Sequence, residues 1–103
     1  MDNYFISFRI ASKTAGGKTY DQRREALVEA VHSDSGFWDG TTSFLAVSSP
    51  LNTGAFAKQA ASALSRDDDM LIVFDPADMS MAYFGQVEHA DVLESFFGSS
   101  TKI

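Results

Sequence analysis

Residues 65–75, SRDDDMLIVFD, decide the fold class of this chain. Three consecutive aspartates give way to five apolar residues, and the run ends at Asp75, which is followed by Pro76. A short, wholly apolar run between polar borders is typical of a strand buried on both faces. The sequence therefore predicts a central strand over residues 70–74, with a turn at residues 75–78.

A second strand pattern precedes it near the start of the chain. Over residues 4–10, YFISFRI, every second residue is apolar, which predicts a strand with one face toward a core. The loop at 11–19 follows, and Thr19 with Gln22 forms a capping box that predicts a helix from about Tyr20 to His32.

The middle of the chain adds a hairpin and a second helix. Residues 36–49 contain the hairpin dipeptide Asp39-Gly40 and predict two antiparallel strands, with one long bulged strand as the alternative. Asn52 is a suitable cap for a helix that carries Phe56 and Ala60 on its apolar face. A short strand at 81–86 and a short helix at 91–97 complete the pattern.

This order of elements predicts an α+β fold, an α/β sandwich. Two split βαβ units with right-handed crossovers give a ferredoxin-like βαββαβ antiparallel sheet with both main helices on one face. The short C-terminal strand and helix are additions to it, and the other face is open to solvent or to a partner. We expect one ferredoxin-like domain over residues 1–98 and a disordered tail over residues 99–103.

Composition limits the chemistry and the location. The chain has no cysteine, which excludes disulfides, thiolate metal sites and cysteine nucleophiles. It shows neither a secretory signal nor an apolar run long enough to span a bilayer, so we expect a soluble, cytoplasmic protein without membrane contact. Nine phenylalanines are many for the interior of a 103-residue domain, which predicts that some lie at a subunit interface.

Charge is distributed unevenly in a chain whose net charge is -6. Five of the eight basic residues lie within residues 1–24, beside only two acids. Phosphate backbones are bound by clustered Lys and Arg. The candidate nucleic-acid-binding residues, for DNA or RNA, are therefore Arg9, Lys13, Lys18, Arg23 and Arg24.

Three motifs resemble catalytic or ligand-binding motifs, but for each of them a structural role is favoured. Residues 12–19, SKTAGGKT, differ from a phosphate-binding P-loop by Ser12 in place of the first glycine. The run 67–69 could supply oxygen ligands to a metal, but adjacent residues point in different directions. Asp75 is the better single carboxylate, although a turn before Pro76 explains it as well. No residue is assigned as catalytic or as a metal ligand, and no cofactor is expected.

Five blocks carry a resemblance to a known group: YFISFRI, TYDQRREALVEAV, GFWDGTTSFLAV, DDDMLIVFD and AYFGQ. In order and spacing they resemble the small CRISPR-associated endonuclease of spacer acquisition, and more closely the SinR-like branch of that ferredoxin-like group, which is related to virulence-associated protein D. The resemblance spans nearly the whole chain. It implies a homodimer. In the nuclease members the first strand ends in an aspartate, which holds one divalent metal together with the same aspartate of the partner subunit.

Arg9 stands where those nucleases have that aspartate, and a cation there repels a metal. We therefore expect a non-catalytic homodimer whose role is interaction, with nucleic acid or with a protein. The alternative is a metal-dependent endonuclease or ribonuclease that uses Mg²⁺ and other carboxylates, with Asp75 the first to test.

Overall fold

Strands and helices alternate along the chain, and the computed structural model describes all 103 residues. The strands are β1 (Asp2–Arg9), β2 (Phe37–Trp38), β3 (Phe44–Ser49), β4 (Met70–Asp75), β5 (Ser80–Gly85) and β6 (Ser99–Lys102). The helices are α1 (Tyr20–Val31), α2 (Thr53–Ala60) and α3 (Ala90–Glu94). The fold is thus α+β, as the sequence predicts, and no helix is long and apolar enough to cross a membrane.

The six strands form one mixed sheet in the order β2-β3-β1-β4-β5-β6. Every neighbouring pair is antiparallel except β5 and β6, which are parallel. The apolar run at residues 70–74 forms β4 and lies between β1 and β5, so the prediction of an interior strand is confirmed. The two strands expected between the main helices are β2 and β3, joined by residues 39–43 rather than by a two-residue turn.

Both main helices begin at the caps that the sequence predicts. At α1 the Gln22 amide donates to Thr19 Oγ1 (3.1 Å) and the Thr19 amide donates to Gln22 Oε1 (2.9 Å), which completes the capping box. At α2 the Ala55 amide donates to Asn52 Oδ1 (2.8 Å). These side chains satisfy amides that a helix leaves without partners in its first turn, so each cap fixes where its helix starts.

The sheet has two different faces. On the side of α1 and α2, here called the helix face, alternate strand residues form the core with side chains of the two helices, namely Leu27, Val31, Phe56, Ala57 and Ala60. The Tyr4 ring stacks on Phe56, with 4.5 Å between ring centroids. The opposite side is here called the open face, and Phe5, Ser7 and Arg9 of β1 lie on it because side chains alternate along a strand.

The helix α3 lies on the open face and covers its β5 side. Tyr83 is on this face because it pairs with Ile72, which in turn pairs with Ser7. Its hydroxyl donates to Glu94 of α3 (2.8 Å), and this hydrogen bond is the main cause that raises the pKa of Tyr83. The β1 and β3 side of the open face has no helix over it.

The segment expected to be a disordered tail is ordered instead. Residues 99–102 form β6 along the outer edge of β5, and the Ile103 amide donates to the Tyr83 carbonyl (3.0 Å). Without β6 the backbone groups on that edge of β5 would have no strand partner. The side chain of Ile103 also packs against the core, so the expectation of a domain ending at residue 98 is wrong.

Candidate interaction surfaces

Arg23 is the most deeply buried charged residue of the candidate set, with no exposed surface. Its Nε donates to Asp69 Oδ2 (2.9 Å) and its Nη2 to Asp69 Oδ1 (3.3 Å). Its Nη1 donates to the carbonyls of Lys13 (2.9 Å) and Lys18 (2.7 Å), and Nη2 also donates to the Ala11 carbonyl (2.9 Å). All five N–H donors of a guanidinium are therefore in use.

Asp69 is equally well satisfied. It has no exposed surface, and besides Arg23 it accepts hydrogen bonds from the amides of Ala11 (2.9 Å) and Ser65 (2.8 Å). A buried ion pair is tolerated when hydrogen bonds satisfy its remaining groups. This pair therefore joins α1, the loop at 11–19 and the segment before β4.

The assignment of Arg23 to a nucleic-acid surface is consequently wrong. A guanidinium enclosed by a carboxylate and three carbonyls cannot reach a phosphate. The sequence carried a signal for this burial, because Arg23 shares a helical stripe with Leu27 and Val31, which are the other buried residues of α1.

The P-loop-like segment adopts a different local structure. Gly16 and Gly17 have φ of 59° and 77° and form a tight turn closed by a bridge between Ala15 and Lys18. A phosphate cradle presents backbone N–H groups to its ligand. Here the carbonyls of three loop residues converge on Arg23 instead, so the structural interpretation of SKTAGGKT is the one that fits.

The four other candidate residues are at the surface and at one end of the sheet, where β1 ends and β3 and β4 begin. Arg9 is the last residue of β1 and lies on the open face opposite Met70. Arg24 on α1 donates to the Thr42 carbonyl (3.4 Å). Lys13 and Lys18 belong to the loop at 11–19 and are exposed.

Acidic side chains share this end of the sheet. Lys13 Nζ lies 2.7 Å from Asp68, and this contact, together with the Ser65 hydroxyl, lowers the pKa of Asp68. Asp67, next to Asp68, and Asp39, in the connection between β2 and β3, are exposed. The end of the sheet is thus mixed in charge, and the basic residues do not form one continuous patch.

The carboxylates considered as metal ligands do not converge. Asp75 is 4% exposed and its Oδ1 accepts the Ala77 amide (2.9 Å), which is the turn role expected before Pro76. Asp68 is bound to Lys13 and Ser65, and Asp69 to Arg23. No three His, Cys, Asp or Glu side chains lie close enough to hold a metal ion together.

A row of aromatic side chains crosses the open face. Successive centroids lie 6.3 Å apart for Trp38 and Phe44, 5.6 Å for Phe44 and Phe5, 5.5 Å for Phe5 and Phe74, and 5.5 Å for Phe74 and Phe97. We call these five residues the aromatic row. Trp38, at the outer end of the row, is 52% exposed and is the only tryptophan of the chain.

Comparison of the chain with models of protein families, with curated proteins and with solved structures found no match.

Proposed function

We propose that this chain is a non-catalytic interaction protein that forms a homodimer through the aromatic row on the open face of a ferredoxin-like core. The aromatic row, half-buried along its length and 52% exposed at Trp38, is the observation that carries the proposal. Large contiguous apolar surface is uncommon on a monomer and marks sites of association, where aromatic residues are enriched.

The strand order supports the ferredoxin-like core. The four strands β2-β3-β1-β4 are mutually antiparallel, and α1 and α2 lie together on one face of them. Two split βαβ units produce this arrangement. In this proposal β5, α3 and β6 extend the core, and the chain is a member of the SinR-like and CRISPR-associated group that lacks the aspartate of the nuclease members, because Arg9 ends β1.

Charge supports a second copy of the chain as the occupant of the open face. Two copies with a net charge of -6 each repel one another. Of the residues that β1 to β4 place on the open face, Arg9 alone is charged, and no acid is among them. This is therefore the surface on which two copies approach with the least repulsion.

Trp38 provides a direct test of this dimer. Since the chain has no other tryptophan, its fluorescence reports on the row alone. We expect the emission maximum to move to longer wavelength when the protein is diluted from micromolar to nanomolar concentration, because the indole becomes exposed as the dimer dissociates. Emission that is at long wavelength and independent of concentration at every dilution would contradict an interface at Trp38.

Nucleic acid is a second candidate partner, and one observation favours it. The four basic residues of the N-terminal segment that reach the surface, three exposed and Arg24 half-buried, lie at the same end of the sheet. We expect weak, salt-sensitive binding of labelled RNA or duplex DNA at low ionic strength, reduced by Lys18→Gln and Arg24→Gln. Lys102→Gln is the control, since Lys102 lies in β6 and outside that segment. Absence of any binding at low salt would remove this candidate.

A further inference from the structure

A cavity of about 430 Å³ opens between the C-terminal end of α2 and the edge where β5 meets β6. Small-molecule sites in proteins have volumes of about 300–1,000 Å³. Apolar side chains from both sides line this cavity, namely Ala61, Leu64, Phe84 and Ile103. Two cationic side chains, Lys58 and Arg66, lie among them. The cavity is therefore apolar in its body and positive at its margin.

Arg66 contacts both an aromatic ring and a backbone oxygen at this margin. Its guanidinium carbon lies 4.6 Å from the centroid of the buried Phe84 ring, a cation–π arrangement. Its Nη1 donates to the backbone oxygen of Ile103, the last residue of the sequence (2.6 Å), and its own carbonyl accepts from Gln86 Nε2 (3.0 Å). The Nε and Nη2 donors have no protein partner. A guanidinium edge with two free, parallel donors matches a carboxylate or a phosphate.

The charges around the cavity favour an anion. No Asp or Glu side chain lies within ion-pair distance of Arg66 or Lys58, and none lines the cavity. Lys18 faces a smaller cavity that shares Ser62 and Leu64 with this one. In a chain with 14 acids and eight basic residues, cations grouped without Asp or Glu partners favour a local positive potential.

We infer that this cavity binds a small molecule that carries one carboxylate or phosphate group on an apolar body. The anionic group accepts hydrogen bonds from Nε and Nη2 of Arg66 and lies near Lys58. The apolar body rests against Leu64, Phe84 and Ile103. This site lies on the helix face, so it is independent of the aromatic row and of self-association.

The test is a titration of ¹⁵N-labelled protein by two-dimensional NMR with four probes. These are octanoate, octyl phosphate, octan-1-ol and inorganic phosphate. We expect saturable shifts at the amides of Ala61, Phe84 and Ile103 with octanoate or octyl phosphate, and at least tenfold weaker effects with the other two. The tighter of the two anionic probes identifies the head group.

Substitutions separate the site from unspecific binding. We expect Arg66→Gln to weaken binding of the better probe at least tenfold and Arg66→Lys to weaken it less, because lysine keeps the charge but loses the paired donors. Arg9→Gln, which removes the same charge on the open face, is the matched control and should bind like the wild type. Arg66 is exposed, and a thermal melt verifies that each variant folds.

Three results would overturn the inference. Equal binding of octan-1-ol and octanoate would mean that the cavity recognises only apolar surface. Equal binding of inorganic and octyl phosphate would indicate an adventitious ion only. Unchanged affinity in folded Arg66→Gln would show that the guanidinium takes no part.

Discussion

At the scale of single residues, the buried pair of Arg23 and Asp69 determines how the first third of the chain is organised. The guanidinium fixes three loop carbonyls, and the carboxylate fixes two amides from separate segments. Replacing Arg23 with methionine leaves Asp69 as a buried charge without its partner. We expect a loss of about 3–5 kcal/mol in the free energy of unfolding, measured by urea denaturation, with Arg24→Met as the control of similar composition.

The double variant Arg23→Met with Asp69→Leu separates the ion pair from the loop contacts. Replacing a buried ion pair by apolar residues is often nearly neutral. Here the carbonyls of Ala11, Lys13 and Lys18 also lose their donor. We therefore expect the double variant to remain clearly less stable than the wild type. Full recovery of stability would mean that these carbonyl contacts contribute nothing.

Gly85 is a second residue whose identity the fold requires. Its φ is 80°, and a Cβ there would lie 2.0 Å from the Asp69 carbonyl oxygen. We expect Gly85→Ala to lower the free energy of unfolding by about 2 kcal/mol or more. In Gly54→Ala, the matched control in α2, the nearest atom to the new Cβ lies 3.8 Å away. That change should be neutral or should stabilise by up to about 1 kcal/mol.

At the scale of elements, the sequence predicts most of what local chemistry determines. Alternation in β1, the apolar run of β4, and the caps Thr19 and Asn52 fix four elements close to where they occur. The strand β6 could not be predicted from the sequence, because its residues, SSTK, have no apolar pattern. They form a strand because they pair with the edge of β5. The burial of Arg23 was likewise missed, because arginine is rarely buried without a partner and Asp69 is 46 residues away.

Because β6 is an ordered strand, we expect slow hydrogen exchange at its end and a loss of stability when its contact with the core is removed. The Ile103 amide donates to Tyr83, and its side chain packs on the core. We expect this amide to exchange its hydrogen with solvent much more slowly than an unstructured amide does. Ile103→Ser should lower the free energy of unfolding by about 1–2 kcal/mol, since roughly half of an apolar side chain leaves the core. Exchange at the rate of a free peptide would contradict an ordered strand.

The contact between the loop at 11–19 and the segment before β4 depends on pH. Hydrogen bonds from Lys13 and Ser65 lower the pKa of Asp68 below its ordinary 3.8. A carboxyl whose folded pKa is lowered adds stability above its unfolded pKa, and that stability is lost as pH falls through the folded pKa. Urea denaturation from pH 7 to pH 3 should therefore show a smaller loss of stability in Asp68→Asn than in the wild type. An unchanged slope would contradict this contact.

At the scale of the whole molecule, the two faces of the sheet differ in what they carry. The helix face holds the core and, at its margin, the cationic cavity with Arg66. The open face is covered by α3 on its β5 side and presents the aromatic row across the other strands. The sequence predicts an open face and surplus aromatics, but only the strand register shows which aromatics stand together on it. In the basic N-terminal segment the helical stripe of Leu27 and Val31 indicates that Arg23 can be buried, but only the tertiary structure shows Asp69 as its partner.

Self-association through the aromatic row is the central claim, and light scattering after size exclusion tests it most directly. We expect the wild type and Met79→Asn to have twice the mass of one chain. Met79 is exposed but lies in the turn after β4 with a φ of 56° that suits asparagine. The double variant Trp38→Ser with Phe44→Ser should have the mass of one chain. A monomeric wild type, or a double variant that remains dimeric, would contradict the account.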